Sequence, residues 1–275
     1  MKVERIYLKE HFHQLENCGD NAYVDCYLVD KVPEMGNRQM QYPCVVICPG
    51  GAYCGISGRE GEPIAMQFLT EGYCVFVVHY SVKPYAFPQQ MLEIAAVMEI
   101  IQIHAEEWNC DVSDVTMMGF SAGGHLAAQY SNRYDCPEIR ALFPTSKGVN
   151  KVVLGYPVIT SEESYAHSET MCNFVGHQLT NTNDKGCSCE LLVTEKTPPT
   201  FLWHTAEDEL VAVENSLLYS LALSKHKVPY ELHIYPYGPH GMATADETTC
   251  FDLIPEIRHC HQWIEECKKW LKLIR

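Results

Sequence analysis

The sequence lacks the features that would mark a membrane or nucleic-acid-binding protein. No run approaches the roughly 18 consecutive apolar residues that a membrane-spanning helix requires. Basic residues are few, with 20 Lys and Arg against 35 Asp and Glu, which gives a formal net charge of −15. Because binding to nucleic acids and to anionic membranes depends on clustered Lys and Arg, we expect neither partner. A neutral or cationic small molecule is the more compatible ligand.

The chain also lacks the marks of a secreted or metal-binding protein. Residues 1–11 mix acids and bases where a signal peptide needs an uninterrupted apolar stretch. Fourteen cysteines are present, but several, such as Cys44 and Cys48, lie in apolar runs where cysteine packs as a small hydrophobic residue. The clusters at 187–189 and 259–261 lack the spacing of paired zinc ligands. We therefore expect reduced thiols, a cytoplasmic location, and no metal or other cofactor.

Apolar runs and helical periodicities alternate along the chain, and no change in composition marks a linker. Strands are predicted at 3–8, 22–29, 44–48, 73–80, 115–119, 152–157, 198–205 and 230–236. Helices are predicted at 60–70, at 88–108, from 122 onward, at 211–227 and at 252–273. This alternation predicts one α/β domain over residues 1–275, with a mostly parallel central sheet and helices on both of its faces. The first two strands should form an antiparallel edge.

Some details of these elements can also be predicted. The 88–108 helix should be amphipathic, and residues 111–114 should separate it from the next strand. The helix at 211–227 should turn four leucines toward the core: Leu217, Leu218, Leu221 and Leu223. Residues 160–197 break the alternation with polar residues and cysteines, which indicates a cap-like insertion over the site.

A nucleophile elbow is indicated by Gly119-Phe-Ser-Ala-Gly123, which matches the pattern G-x-S-x-G. An apolar run ends at Gly119, and small residues open a helix after Ser121. In such an elbow the serine occupies a strained turn, and the flanking glycines let the strand and helix backbones approach without a Cβ clash. The turn exposes Oγ of Ser121 and aims the backbone N–H of Ala122 at whatever bonds to that oxygen.

A base and an acid for this serine follow in chain order. Acyl transfer by serine needs a base to take the Oγ proton, an acid to orient that base, and N–H donors for the oxyanion. The loop after the last strand contains His240, which we favour over His204 and His233 because those two lie inside strands. Three acids, 207–209, follow the preceding strand, and Asp208 is the favoured one. The Pro-Gly-Gly-Ala-Tyr loop that follows the strand at 44–48 can turn backbone N–H groups toward an anion.

These segments together resemble the α/β-hydrolase family and, within it, the small carbohydrate esterases that include bacterial acetyl xylan esterases. The resemblance extends over nearly the whole chain and rests on motifs at 49–53, 80–82, 118–126, 204–216 and 231–241. The chain order Ser…Asp…His is also that of the α/β-hydrolases.

The resemblance implies roles for individual residues. It implies the catalytic residues Ser121, Asp208 and His240. It implies an oxyanion hole formed by the backbone N–H of Ala122 together with that of Gly51 or Ala52. Ala52 stands where related lipases and esterases have a third glycine, and its Cβ should narrow the acyl pocket. Tyr53 is predicted to contact the substrate, and His125 is predicted to pack behind the elbow rather than act as a second base.

The sequence therefore predicts a metal-free serine esterase that deacetylates xylan-derived or other acetylated oligosaccharides through an acyl-enzyme on Ser121. Since a fold does not fix a substrate, a general carboxylesterase, a lipase or a peptidase of the same fold is an alternative. A peptidase would need a group that grips the substrate amine. A non-catalytic binding module is a second alternative, which the intact set of catalytic residues disfavours. The oligomeric state is left open.

Overall fold

The structure, a computed structural model, describes residues 1–15, 19, 22–30, 34, 41–179 and 184–274. The strands in these ranges are β1 (Lys2–Tyr7), β2 (Tyr23–Leu28), β3 (Tyr42–Cys48), β4 (Cys74–His79), β5 (Cys110–Phe120), β6 (Lys151–Gly155), β7 (Thr200–Thr205) and β8 (Tyr230–Tyr235). The helices are α1 (Leu8–His11), α2 (Glu62–Leu69), α3 (Gln89–Ile103), α4 (Ala105–Trp108), α5 (Ala122–Arg133), α6 (Pro137–Leu142), α7 (Ser168–Val175), α8 (Glu214–Lys225), α9 (Pro255–Cys260) and α10 (Gln262–Leu273).

The strands form one sheet in the order β1-β2-β4-β3-β5-β6-β7-β8. β1 pairs with β2, and β2 with β4, in the antiparallel sense, whereas the pairs from β4 through β3 to β8 are parallel. The inner strands read as continuous apolar runs because helices cover both of their faces. The predicted α/β fold, with a mostly parallel sheet and an antiparallel edge, is confirmed.

Two apolar layers lie on opposite faces of the sheet. Alternate residues of β3 point to opposite sides, so Val46 packs in the layer formed with α3, α5 and α8. Val45 packs in the other layer, which includes Phe68 of α2 and Trp263 of α10. Among the helices of the described ranges, none combines the length and the apolar character that a membrane crossing needs.

The structure corrects the predictions for the segment that precedes the elbow. The helix predicted at 88–108 ends at Ile103 and is followed by the short α4. α3 is not amphipathic, because Gln90 and Glu93 are buried along with its apolar residues. Residues 111–114 are part of β5, where a shift in register opposite Pro43 and Cys44 accommodates the extra residues.

Two further helix predictions are wrong in part. Leu217 and Leu221 of α8 are 45% and 67% exposed, whereas Leu223 is buried as predicted and Tyr219 is buried beside it. The helix predicted at 252–273 is divided at His261 into α9 and α10. Both tryptophans of α10 are nevertheless buried in the core.

The parallel arrangement determines where functional residues can meet. The carboxyl ends of parallel strands lie at the same edge of a sheet, and ligands bind there in folds of this kind. The segments that follow β3, β5, β7 and β8 therefore converge at one edge, although they are widely separated in the sequence.

Candidate active site

Ser121 lies in the turn between β5 and α5, with backbone angles φ 54° and ψ −123°. A positive φ is uncommon for a residue with a side chain and marks a strained backbone. The flanking glycines permit the turn, because a Cβ on Gly119 would lie 2.2 Å from the carbonyl oxygen of Gly123. A Cβ on Gly123 would lie 2.0 Å from the carbonyl oxygen of Cys48. The pattern G-x-S-x-G thus folds here as a strand, a sharp turn and a helix.

Ser121, His240 and Asp208 come together at this edge of the sheet. Nε2 of His240 lies 2.8 Å from Oγ of Ser121, and Nδ1 of His240 lies 2.6 Å from Oδ2 of Asp208. The imidazole can therefore accept the hydroxyl proton at Nε2 while its Nδ1–H donates to the carboxylate. The competing acids Glu207 and Glu209 are exposed. The structure thus brings together the three side chains that the sequence favours, in an arrangement suited to nucleophilic attack by serine.

Asp208 is buried, and both of its oxygens are hydrogen-bonded. Oδ1 accepts the backbone N–H groups of Leu210 at 3.0 Å and Val211 at 2.9 Å. Oδ2 faces Nε2 of His204 at 3.2 Å as well as His240. Burial by itself would raise the pKa of Asp208, but the hydrogen bonds from the two histidines, the charge of His240 and the N–H of Val211 hold it well below its ordinary value. The carboxylate therefore stays ionised beside His240.

The loop after β3 runs directly beside the elbow. A Cβ on Gly50 would lie 2.8 Å from Cβ of Ser121. The next three residues, Gly51, Ala52 and Tyr53, have φ values of 127°, 53° and 56°. A loop with successive residues in such conformations can turn neighbouring N–H groups toward one anion.

The predicted oxyanion donors lie on two segments, with Gly51 and Ala52 on this loop and Ala122 at the start of α5. The N–H of Ala122 belongs to the first turn of a helix, which has no intrahelical acceptor. In the described part of the chain, none of these three N–H groups takes part in a backbone hydrogen bond outside the regular elements. The geometry is compatible with an oxyanion hole, which stays a prediction.

A buried carboxylate that the sequence did not reveal joins this loop to the loop of the histidine. Glu60 is 2% exposed, and its Oε2 accepts the N–H of Gly50 at 2.7 Å. Its Oε1 accepts the hydroxyl of Tyr156 at 2.7 Å, and that hydroxyl in turn accepts the N–H of Ala243 at 3.0 Å. The Tyr156 ring lies edge-on to His240, with 4.8 Å between centroids. Burial and the charge of Glu60 raise the pKa of Tyr156 well above its ordinary value, so the phenol stays protonated.

The side chain of Tyr53 is not available to a substrate, which corrects the prediction of a substrate contact. It is fully buried, and its hydroxyl lies 2.9 Å from Nδ1 of His125. Nε2 of His125 lies 2.7 Å from the carbonyl oxygen of Cys187. Since a carbonyl only accepts, His125 carries its proton on Nε2 and accepts the Tyr53 hydroxyl at Nδ1. His125 therefore packs behind the elbow, as the sequence predicts.

The buried His125 leads us to expect a loss of stability in mild acid. Burial lowers the pKa of His125 to about 4, whereas an exposed histidine titrates near about 6.5. Between these pH values the unfolded chain binds a proton that the folded protein does not. The free energy of unfolding therefore rises with pH, and the stability due to this residue is lost as the pH falls. Between pH 6.5 and 4 this residue should lower the free energy of unfolding by about 3 kcal/mol, which urea unfolding at a series of pH values would measure.

The variant His125→Gln is the control for this effect. Its amide can still donate to Cys187 and accept from Tyr53, but it does not titrate. The dependence of the unfolding free energy on pH between 6.5 and 4 should be shallower than in the unmodified protein by about the same 3 kcal/mol. Parallel curves for the two proteins would contradict the prediction.

The segment at 160–197 contacts the candidate site. The side chain of Asn173, on α7, donates to the carbonyl oxygen of Ala52 at 2.8 Å. Burial, followed by the charge of His240, lowers the pKa of His167, the residue before α7. The predicted insertion therefore lies against the loop after β3. Its residues 180–183 are outside the described residues.

The two cysteine and histidine clusters are not gathered as metal ligands would be. In residues 1–15, 19, 22–30, 34, 41–179 and 184–274, no group of three or more His, Cys, Asp and Glu side chains could hold a metal ion. Cys189 instead directs its thiol to the carbonyl oxygen of His125, and His261 directs Nδ1 to that of Thr244. The absence of a metal from the mechanism stays a prediction.

The sheet and the loops at its carboxyl edge have the arrangement found in α/β hydrolases, and solved structures agree. An acetyl ester-xyloside bifunctional hydrolase from Caldicellulosiruptor lactoaceticus is similar with a TM-score of 0.78 and 33% identity, over 92% of this chain and 88% of that one. A carboxylesterase from Lactobacillus plantarum is similar with a TM-score of 0.82 and 26% identity, over 99% of this chain and 98% of that one. The chain therefore has the α/β-hydrolase fold.

The family is identified by the sequence. The BD-FAE family matches residues 31–223, which is more than half of the chain, and the chain belongs to this family. It is 33% identical over 220 residues to endo-1,4-beta-xylanase B of Butyrivibrio fibrisolvens and 27% identical over 235 residues to an acetylxylan esterase of Xylanibacter ruminicola. These matches cover 77% and 84% of this chain, which spans 34% and 45% of the two relatives. The predicted resemblance to α/β-hydrolase esterases is confirmed.

Proposed function

We propose that this chain is a metal-free serine esterase that removes acetyl groups from the hydroxyls of xylan-derived or other acetylated oligosaccharides. The observation that carries the proposal is the continuous contact from Ser121 Oγ through His240 to Asp208, with distances of 2.8 Å and 2.6 Å. A serine, a base and an orienting acid in this order are what acyl transfer to a hydroxyl requires.

In the first half of the reaction Ser121 is acylated. Oγ attacks the acetyl carbonyl and its proton passes to Nε2 of His240, while ionised Asp208 stabilises the resulting imidazolium. The negative oxygen of the tetrahedral intermediate accepts N–H groups from Ala122 and the loop after β3. The intermediate collapses when the sugar oxygen leaves and takes the proton from His240, so that acetyl remains on Ser121.

In the second half, water releases the acetyl group. His240, neutral again, takes a proton from a water molecule as its oxygen attacks the acyl-enzyme carbonyl. The second tetrahedral intermediate expels Oγ of Ser121, which recovers the proton from His240. Acetate leaves, and the starting state is restored.

Aromatic packing beneath the loop after β3 supports a small acyl group. The Tyr53 ring packs against Tyr80 and Phe174, with centroid distances of 5.7 Å and 5.4 Å, and these three side chains are buried. Tyr53 thus fills the interior beneath the loop that bears Ala52. We place the acyl group against these rings, so that a long acyl chain would have to displace them, which is costly in a close-packed interior.

A surface cleft next to the histidine supports a neutral, polyhydroxylated alcohol. The cleft has a volume of about 1000 Å³ and is lined by His240, Glu207, Glu209, Tyr237 and Glu256 among other residues. Carboxylates accept hydrogen bonds from hydroxyl groups, whereas they repel an anionic ester. The names of similar proteins, an acetylxylan esterase and an acetyl ester-xyloside hydrolase, favour the same substrate class.

The acyl preference tests this proposal. We expect kcat/KM on p-nitrophenyl esters to fall by about tenfold or more from acetate to butyrate and to be nearly lost with octanoate, because the acyl pocket lacks room. An open apolar groove would instead gain about 0.8 kcal/mol for each buried methylene, so rates that rise with chain length would contradict the proposal. The same assay on acetylated xylo-oligosaccharides should release acetate, and aminoacyl amides should not be cleaved.

A further inference from the structure

Asp208 is shared by two histidines, of which only His240 contacts Ser121. The second, His204, is on β7 and is fully buried. Its Nε2 lies 3.2 Å from Oδ2 of Asp208 and 3.0 Å from the carbonyl oxygen of Val211. Its Nδ1 lies 2.8 Å from the hydroxyl of Ser216. Both ring nitrogens are therefore occupied by protein groups.

The partners of His204 fix its tautomer. A carboxylate and a carbonyl both face Nε2 and neither can donate, so the ring proton lies on Nε2. Nδ1 is then an acceptor, and Ser216 supplies the hydroxyl proton that it needs. The backbone carbonyl of Ser216 is used separately, because it accepts the hydroxyl of Ser220 at 2.8 Å. His204 thus directs its Nε2–H at Asp208 and at the carbonyl oxygen of Val211.

We propose that His204 is a positioning residue for the reaction, oriented through Nδ1 by the Ser216 hydroxyl, and that its Nε2–H keeps Oδ2 of Asp208 facing His240. The inference rests on the proposed serine esterase function. The backbone N–H groups of Leu210 and Val211 hold Oδ1, and the N–H of His204 holds Oδ2. With both oxygens held, the carboxylate cannot rotate away from Nδ1 of His240.

The test compares two replacements of similar size that differ in their ability to donate. In His204→Gln the side-chain amide can donate to Asp208 and accept from Ser216, so kcat should stay within about fivefold of the unmodified protein. In His204→Met the space is filled but the donor is lost, and kcat on p-nitrophenyl acetate should fall by about 100-fold with KM unchanged, since the orienting acid is then loosely held. His233→Met on β8, which changes a histidine paired with Glu231, should leave kcat and KM unchanged.

Two further measurements keep the inference open to refutation. Thermal unfolding establishes whether His204→Met is folded. If it is not, Ser216→Ala takes its place, because it removes the hydroxyl that orients the His204 ring through Nδ1 and should lower kcat severalfold at constant KM.

The inference is overturned if the folded Met variant keeps the unmodified kcat, or if Gln and Met lose the same activity. It is also overturned if the Met variant is unfolded and Ser216→Ala has full activity. Loss of the proposed function is distinguishable from these results, because the unmodified protein would then show no ester hydrolysis that depends on Ser121.

Discussion

Replacement of Ser121 by alanine is expected to lower kcat for ester hydrolysis by about 10⁴-fold or more. The change removes the hydroxyl that lies 2.8 Å from Nε2 of His240 and leaves no atom to carry the acyl group. The fold should be unaffected, because alanine has the same Cβ as serine and the strain at φ 54° is therefore unchanged. Turnover of p-nitrophenyl acetate and the thermal unfolding temperature measure the two parts of this expectation.

Ser113→Ala is a matched control for the loss of a serine hydroxyl. Ser113 lies on the same strand as the elbow but toward its other end, where its hydroxyl bonds to Asp111 at 2.6 Å. Its replacement should leave kcat and KM as they are. If Ser121→Ala keeps turnover within tenfold of the unmodified protein, Ser121 is not the nucleophile and the acyl-enzyme mechanism fails.

Gly123→Ala is expected to lower the stability more than any other substitution proposed here. The new Cβ would lie 2.0 Å from the carbonyl oxygen of Cys48 and 2.4 Å from that of Pro49. Both obstructing atoms belong to the backbone of the chain leaving β3, so neither can rotate aside as a flexible side chain would. We expect the free energy of unfolding to fall by at least about 3 kcal/mol, measured by urea unfolding, or the folded protein to be absent.

Gly58→Ala separates this clash from the general effect of replacing glycine. A Cβ on Gly58 would meet no atom within 4 Å, so this variant should differ from the unmodified protein by less than about 1 kcal/mol. An unfolding midpoint for Gly123→Ala equal to that of Gly58→Ala would show that the elbow backbone can relax. That result would contradict the close approach of α5 to β3.

The parts of the site that lie on single strand-to-loop junctions could be predicted from the sequence. The elbow at Ser121 is a local signal, because the two glycines, the small residues and the preceding apolar run all lie within a few positions. His240 and Asp208 can be predicted from the sequence for a different reason. Each follows a recognisable strand, and a parallel sheet brings the ends of such strands to one edge, where the structure places both residues in contact.

The remaining features of the fold and the site depend on contacts between distant side chains, which the hydrophobic periodicity of the sequence does not reveal. In α8 the interior positions include polar residues that are hydrogen-bonded, such as Asn215, which accepts the N–H groups of Ile159 and Thr160. The leucine pattern therefore predicts Leu223 correctly but places Leu217 and Leu221 in the core, although both are exposed. Glu60 and Tyr156 are 96 positions apart, and a glutamate next to Arg59 looks like an ordinary surface residue in the sequence. The position of His204 inside a strand disfavours it as a base, and the sequence does not show that its side chain contacts Asp208, four residues later.

The link through Glu60 and Tyr156 has a consequence for the energetics of each turnover. The N–H groups of Gly50 and Ala243 are both hydrogen-bonded to this one buried pair, so the loop after β3 and the loop that bears His240 cannot move independently. Donors that are already oriented need no rearrangement as charge develops on the reacting carbonyl. The free-energy cost of ordering the two loops is therefore met once, when the chain folds, and does not add to the barrier in each catalytic cycle.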